Sequence, residues 1–327
     1  MKKIRYLVIL FSAALLFSCF IWGLTADRFM GFVRTEIPEY TVQRIAFQGR
    51  LAYLPCGEYG VKVIDFSDPL RPRQRGCLDL GVTVAAASLY NDRIVVSSDG
   101  DPRIVDVSDP DNLSESYVLT SAKPKHVLDG DYCYLYNPNS FDIYTAADIA
   151  DGLPITSLGT YSSVQSGFDD LEVDGDYAYF QSKERVEVID VSNKAIPALK
   201  GECLLPAAMS DAEGFYALGD ALLLVDVSPL MGATHVYVVD VSDKTDPALV
   251  KTHAWEGYTN GTCLSGRYLL RAGGYNLEIY DAADPMSLEK VDTINLETYG
   301  WSVFAAGDFA LVLDTSGAGL YLIAPYN

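Results

Sequence analysis

VKVIDFSDP, residues Val61–Pro69, decides the architecture because it returns along the chain. RIVDVSDP covers Arg103–Pro110, VEVIDVSN covers Val186–Asn193, VYVVDVSDKTDP covers Val236–Pro247 and LEIYDAADP covers Leu277–Pro285. A weaker copy, FDIYTAAD, lies at Phe141–Asp148, and a truncated one, LYLIAP, at Leu320–Pro325. Each copy reads as a short apolar strand closed by a turn of the Asp-Pro kind. Multi-strand units recurring at about 40 residues specify a solenoid, an array or a propeller.

Around each copy the same plan repeats. A first strand ends in a Gly-containing turn, a second strand rich in Tyr, Leu, Val and Ala follows, and a polar loop leads to the signature strand. The Asp-Pro turn then opens a fourth strand. In the first unit the strands are read at Thr41–Phe47, Leu51–Leu54, Val61–Phe66 and Gln74–Leu80. The first turns fall at Gly49, Asn91, Gly130, Gly175, Gly219, Gly266 and Gly307, residue types suited to a hairpin that needs positive φ. Seven turns predict seven blades. The last unit stops after its third strand, and Gly31–Ile37 is expected to supply the fourth, closing the ring and removing a sheet edge. The expected fold is therefore all-β, a seven-bladed propeller of four-stranded antiparallel blades spanning 31–327 as one domain.

Asp65, Asp106, Asp190, Asp240 and Asp281 recur inside the signature. A catalytic group does not repeat in every blade, whereas an Asp ahead of a turn caps the turn backbone. These residues are read as turn caps.

Residues 1–30 read as an export signal or membrane anchor. Lys2, Lys3 and Arg5 precede an uncharged apolar run, Tyr6–Leu24. That pattern is a secretory signal, and its length also suffices to cross a bilayer. Three outcomes stay open: lipidation of Cys19 at Leu16-Phe17-Ser18-Cys19, an uncleaved anchor, or cleavage near Ala26. All three export the repeats, and the first two leave them tethered at the cell envelope or surface.

The net charge is −20, and setting aside the three N-terminal cations leaves −23 on the rest. Nucleic-acid binding needs a basic footprint, so that class is set aside. Cys56, Cys77, Cys133, Cys203 and Cys263 show no C-x-x-C spacing and read as buried small hydrophobes. Cys77 and Cys203 read as matching positions in fourth strands.

The signature, with the second strands Gly49-Arg50-Leu51-Ala52-Tyr53 and Gly175-Asp176-Tyr177-Ala178-Tyr179, resembles the LVIVD-repeat family of bacterial β-propellers. The likeness covers about residues 40–325 and weakens at Tyr144-Thr145 and in the last unit. It implies an exported propeller and brings no catalytic residues.

Ligands of propellers meet one rim, near the channel mouth. Aligning the first strands on their turns places Arg44, Lys125, Asp170, Gly214, Gly261 and Ser302 at one level, with Gln43, Asp169, Glu213, Asn260 and Trp301 one step outward. With His126, Tyr258 and Tyr299 these give the candidate ligand-binding set: Arg44, Lys125, His126, Asp169, Asp170, Glu213, Tyr258, Asn260, Tyr299 and Trp301. The aromatics suit stacking on a sugar or clasping a peptide, and the acids suit a cation or basic groups. The competing reading is a merely polar rim whose aromatics pack between blades. No cofactor is expected; Ser98-Asp99-Gly100-Asp101 is the best local candidate for structural calcium. G-x-S-x-G, H-E-x-x-H and P-loop signatures are missing, and His126, His235 and His253 come from different blades. The sequence thus points to a binding or scaffolding propeller for a protein or a cell-envelope glycan. A carbohydrate-active hydrolase or lyase with acids at the mouth is the alternative.

Overall fold

The computed structural model describes residues 29–35, 37, 42–152, 155–206, 212–228, 233–257, 259–314 and 317–322. Residues 1–28 of the segment read as an export signal or anchor, Cys19 among them, lie outside the described residues, and its last two residues open the first strand. The described strands form seven antiparallel sheets, each built from consecutive strands except at the closure. Blade four is representative: Phe168–Asp174, Tyr177–Ser182, Arg185–Asp190 and Ala198–Leu204 pair in sequence order. All seven first-turn residues adopt left-handed φ, between 53° and 60°, Asn91 being the one that is not glycine.

Blade six hides its hairpin inside one long strand, Tyr268–Asp281. A straight strand would hold Arg271 and Glu278 about 23 Å apart. Instead Arg271 Nη1 lies 2.7 Å from Glu278 Oε2, because the chain doubles back at Gly274, with φ 62°. This blade too has four strands.

The buried apolar residues fall into seven clusters, and each lies between two consecutive blades. Tyr53, Val61 and Val63 of blade one meet Ile94, Val96 and Val105 of blade two, whereas Ala52, Leu54 and Ile64 face Phe309, Leu311 and Val33. Period-two alternation along each strand supplies one face to the preceding blade and the other to the next. The seventh interface, between last and first blades, makes the array a ring.

Closure follows the expected route with a shifted boundary. Strand β1, Phe29–Arg34, pairs antiparallel with Gly317–Leu322 and becomes the outer strand of the last blade. Gly31 stands opposite Leu320 and Arg34 opposite Gly317. The contact is close: a Cβ at Gly317 would sit 1.9 Å from the Val33 carbonyl oxygen.

The five signature aspartates are turn caps. Asp65, Asp106, Asp190, Asp240 and Asp281 each accept from the backbone N–H two residues on, at 2.8–3.0 Å. Blade three, where the repeat weakens, replaces the turn by helix α1, Ala146–Asp151. Its N-cap is Thr145, whose hydroxyl accepts from Asp148 N at 3.1 Å, and Gly152 ends it in a left-handed conformation.

One reading of the cysteines is corrected. Cys77 is exposed, unlike Cys56, Cys133 and Cys203. Cys77 stands opposite Lys62, and Cys203 opposite Val186, whose counterpart in blade one is Val61. The two positions are therefore offset by one residue, which sends the side chains to opposite faces. The five cysteines among the described residues are free thiols.

Candidate functional site: the channel and its mouth

The hairpin registers build a ring of seven residues, one per blade. Counting four residues back from the closing pair of each first hairpin gives Arg44, Ala86, Lys125, Asp170, Gly214, Gly261 and Ser302. Lys125 pairs with Tyr136, Asp170 with Gln181 and Ser302 with Leu313. Arg44 joins Ala86 through an isolated bridge between blades one and two. All seven line a central cavity of about 690 Å³, to which every blade contributes. Gln43, Asp169 and Asn260, one step outward, line it too. The levels read from the turns coincide with the levels in the fold.

The lining is lopsided. Opposite the ring, the second strands of blades two, three and four present Ser97, Tyr136 and Gln181, whereas those of blades five, six and seven present Val225, Ala272 and Leu313. Charge therefore gathers on one side. Arg44 Nη2 lies 3.8 Å from Glu172 Oε2, and its Nη1 donates to the His126 carbonyl at 3.4 Å. The Tyr136 hydroxyl and the Leu171 N–H both donate to Asp170 Oδ1, at 2.9 and 2.8 Å. Lys125 Nζ donates to the Asp169 carbonyl at 2.7 Å.

Enclosure perturbs these groups. Burial pushes the Glu172 carboxyl up to about 7, with Arg44 opposing the rise and Asp170 adding to it. Burial, helped by the Arg44 charge, lowers His126 to about 3, so its imidazole is neutral. His126 Nδ1 shares a 2.7 Å hydrogen bond with Ser97 Oγ, and its Nε2 is buried without a protein partner. Gln181, fully buried, donates from Nε2 to the Ser182 carbonyl and leaves Oε1 unpartnered.

A second hollow, of about 310 Å³, opens on the mouth-side rim between the loops of blade six. Glu256, Arg271, Asn276, Glu278 and Tyr299 line it. Tyr275 and Tyr299 meet edge to face beside it, centroids 5.7 Å apart, and both are exposed, at 62% and 41%. Arg271 is the internal tie. It donates to Thr259 Oγ1 and to the carbonyls of Glu256 and Gly257, and pairs with Glu278. Trp255 is spent on packing, stacked 4.2 Å from Tyr280 beneath that guanidinium.

Of the candidate residues, Arg44, Lys125, His126, Asp169, Asp170 and Asn260 converge on the channel, and Tyr299 belongs to the rim hollow. Trp301 is half-buried and lines neither cavity. Tyr258 and the Glu213 side chain lie outside the described residues. His235 lies against Tyr237 and His253 bonds the Pro285 carbonyl, so the three histidines do not converge. In the calcium candidate loop, Ser98 Oγ donates to the Asp101 carbonyl, and Asp101 Oδ1 accepts from Ser121 N and Ala122 N. Glu172, Tyr136, Gln181 and Tyr275 escaped sequence reasoning. The signal for Glu172 was present: two residues beyond Asp170 on a strand is the same face.

Among known proteins, the LVIVD repeat family model matches residues 168–204 and 234–254, that is blade four and the outer half of blade five. No curated protein matches. Solved structures share the fold. A Lactobacillus plantarum protein aligns with a TM-score of 0.66 at 11% identity, over 82% of this chain and 89% of its own. Saccharomyces cerevisiae Sqt1 aligns at 0.62 and 9%, over 92% and 100%. BamB from Moraxella catarrhalis aligns at 0.57 and 10%, over 88% and 84%. The matched repeats and the seven-bladed ring fit an LVIVD-repeat β-propeller family.

Proposed function

We propose that this chain is a non-enzymatic binding propeller, exported and tethered by the segment ahead of its first strand, residues 1–28, that engages a protein of the cell envelope through its mouth-side rim. The observation that carries the reading is the exposed Tyr275–Tyr299 pair beside the hollow floored by Arg271 and Glu278. Exposed aromatics on a rigid, internally bonded floor have the character of interface anchors, since little entropy is lost on docking. The charge of −20 favours a partner with basic residues and makes association salt-sensitive. Export rests on Lys2, Lys3 and Arg5 ahead of the uncharged run Tyr6–Leu24.

Crosslinking capture from the source cell's envelope fraction tests it. One saturable partner, lost in the Tyr275→Ala/Tyr299→Ala double variant and weakened by salt, supports the reading. An unchanged capture profile in that variant refutes it.

A catalytic reading has one observation on its side. Glu172, held near neutrality, and Asp170, bonded by Tyr136 and Leu171, are two carboxyl groups in one channel with different environments. Hydrolysis of a glycan, abolished by Glu172→Gln, would establish it in place of the binding module.

A further inference from the structure

We infer that the central channel is a binding site for a small, neutral, polyhydroxylated molecule of one or two sugar rings, held from the Gln181, His126 and Arg44 side of the lumen. The inference stands apart from the rim reading, and either can fail alone.

The channel offers room and unfinished hydrogen bonding together. A cavity of about 690 Å³ exceeds what a sugar ring needs, and it is open at the mouth, where Gln43, Asp169 and Asn260 line it. Two side chains in its wall, each more than nine-tenths buried, carry a polar atom with no protein partner: Gln181 Oε1 and His126 Nε2. The Gln181 amide is oriented by its Nε2 donating to the Ser182 carbonyl at 2.8 Å, so the free atom is an acceptor. A buried acceptor left without a donor is unfavourable, and native folds meet such atoms with water or ligand.

The chemistry of the occupant follows from what surrounds those atoms. Gln181 Oε1 and the carboxylates of Asp170 and Glu172 call for donors, and Arg44 calls for an acceptor. His126 Nε2 donates or accepts according to which way the proton lies in its bond to Ser97 Oγ. A hydroxyl group satisfies every one of these, because it both donates and accepts. The lumen carries both signs of charge, Arg44 and Lys125 against Asp169, Asp170 and Glu172, with Arg44 paired to Glu172, so a neutral occupant meets less repulsion than an ion of either sign. Tyr216 and Phe304 line the same cavity and add aromatic apolar surface suited to the C–H groups of a sugar.

Titration calorimetry of the full chain with D-glucose, D-galactose, N-acetyl-D-glucosamine and cellobiose tests this, with sulfate as the charged comparison. At least one of the sugars is expected to bind saturably, and sulfate neither to bind nor to compete. Gln181→Leu is expected to weaken that binding at least tenfold, and Ile196→Ala, at an exposed turn on the opposite rim, to leave it unchanged. Should Gln181→Leu fail to fold, Ser302→Trp fills the lumen from a lining position outside the buried core and is expected to abolish binding. No saturable binding of any of the four sugars overturns the inference, and so does binding that survives Ser302→Trp.

Discussion

Arg44 of blade one and Glu172 of blade four face each other across the channel, Nη2 3.8 Å from Oε2, joining parts of the ring that no sheet connects. The pair is enclosed yet wetted by the lumen, the side chains keeping 35% and 28% of their surface. Burial outweighs the attraction of Arg44, so the Glu172 carboxyl is raised from 4.5 to about 7. An acid with a raised folded-state value destabilises the fold once it ionises. The stability is whole below pH 4.5, declines as pH rises toward 7, and levels above it. Glu172→Gln removes the decline. The variant should match the parent at pH 4 and exceed it at pH 8 by on the order of 2 kcal/mol, allowing for lumen solvent. Denaturant melts at the two pH values measure this, and an equal effect at both contradicts it.

The turn caps give the opposite sign. Asp190 is held down to about 2 by the Ser192 hydroxyl and N–H and by Lys200. A depressed carboxyl stabilises above its unfolded value, near 3.8, and loses that contribution as pH falls through 2. Asp190→Ala should cost roughly 0.5–1.5 kcal/mol at neutral pH and almost nothing by about pH 1. The same loss at both pH values would mean the turn depends on packing instead.

Closure of the ring rests on β1, and Gly317 is its tightest point. Its backbone, at φ 151°, and the 1.9 Å approach of the Val33 carbonyl to any added Cβ leave no room for a side chain. Gly317→Ala should cost more than about 2 kcal/mol and raise hydrogen exchange across Phe29–Arg34 and Gly317–Leu322. Blade four should stay protected, since its clusters lie on the far side of the ring. Uniform loss of protection would show that closure is not local to this blade.

Arg271 shapes the rim by geometry as well as charge. It donates to Thr259 and two carbonyls while pairing with Glu278, and only a planar fork reaches all of them. Arg271→Lys should therefore lower the melting temperature nearly as much as Arg271→Met, the buried pair losing its geometry in both. Full rescue by lysine would reduce the residue to a point charge.

Much of this was legible in the sequence, and the repeat explains why. The turns at Gly49, Asn91, Gly130, Gly175, Gly219, Gly266 and Gly307 are local signals, and each fixes the level of its first strand. The ring from Arg44 to Ser302 followed from them without any distance. What sequence could not supply was which second-strand residues look between the first strands into the lumen. Gln181 and Ser97 show there because each pairs with a ring residue, Asp170 and Ala86, in a register shifted by a bulge just before it. Cys77 failed for the same reason in reverse, a one-residue offset that no composition reveals. Tyr275 was missed because it follows Gly273-Gly274 in the turn between the second and third strands of blade six, whereas the candidate rim residues came from the first strands and the links between blades.

The central claim, recognition through the mouth-side rim, is tested most directly by photo-crosslinking in living cells of the source. p-Benzoylphenylalanine is placed at Tyr275, at Tyr299 and, as the comparison, at Ile196, an exposed residue in a signature turn on the opposite rim. The account predicts one shared adduct from positions 275 and 299 and none from 196. The same adduct from all three positions, or from 196 alone, would contradict it.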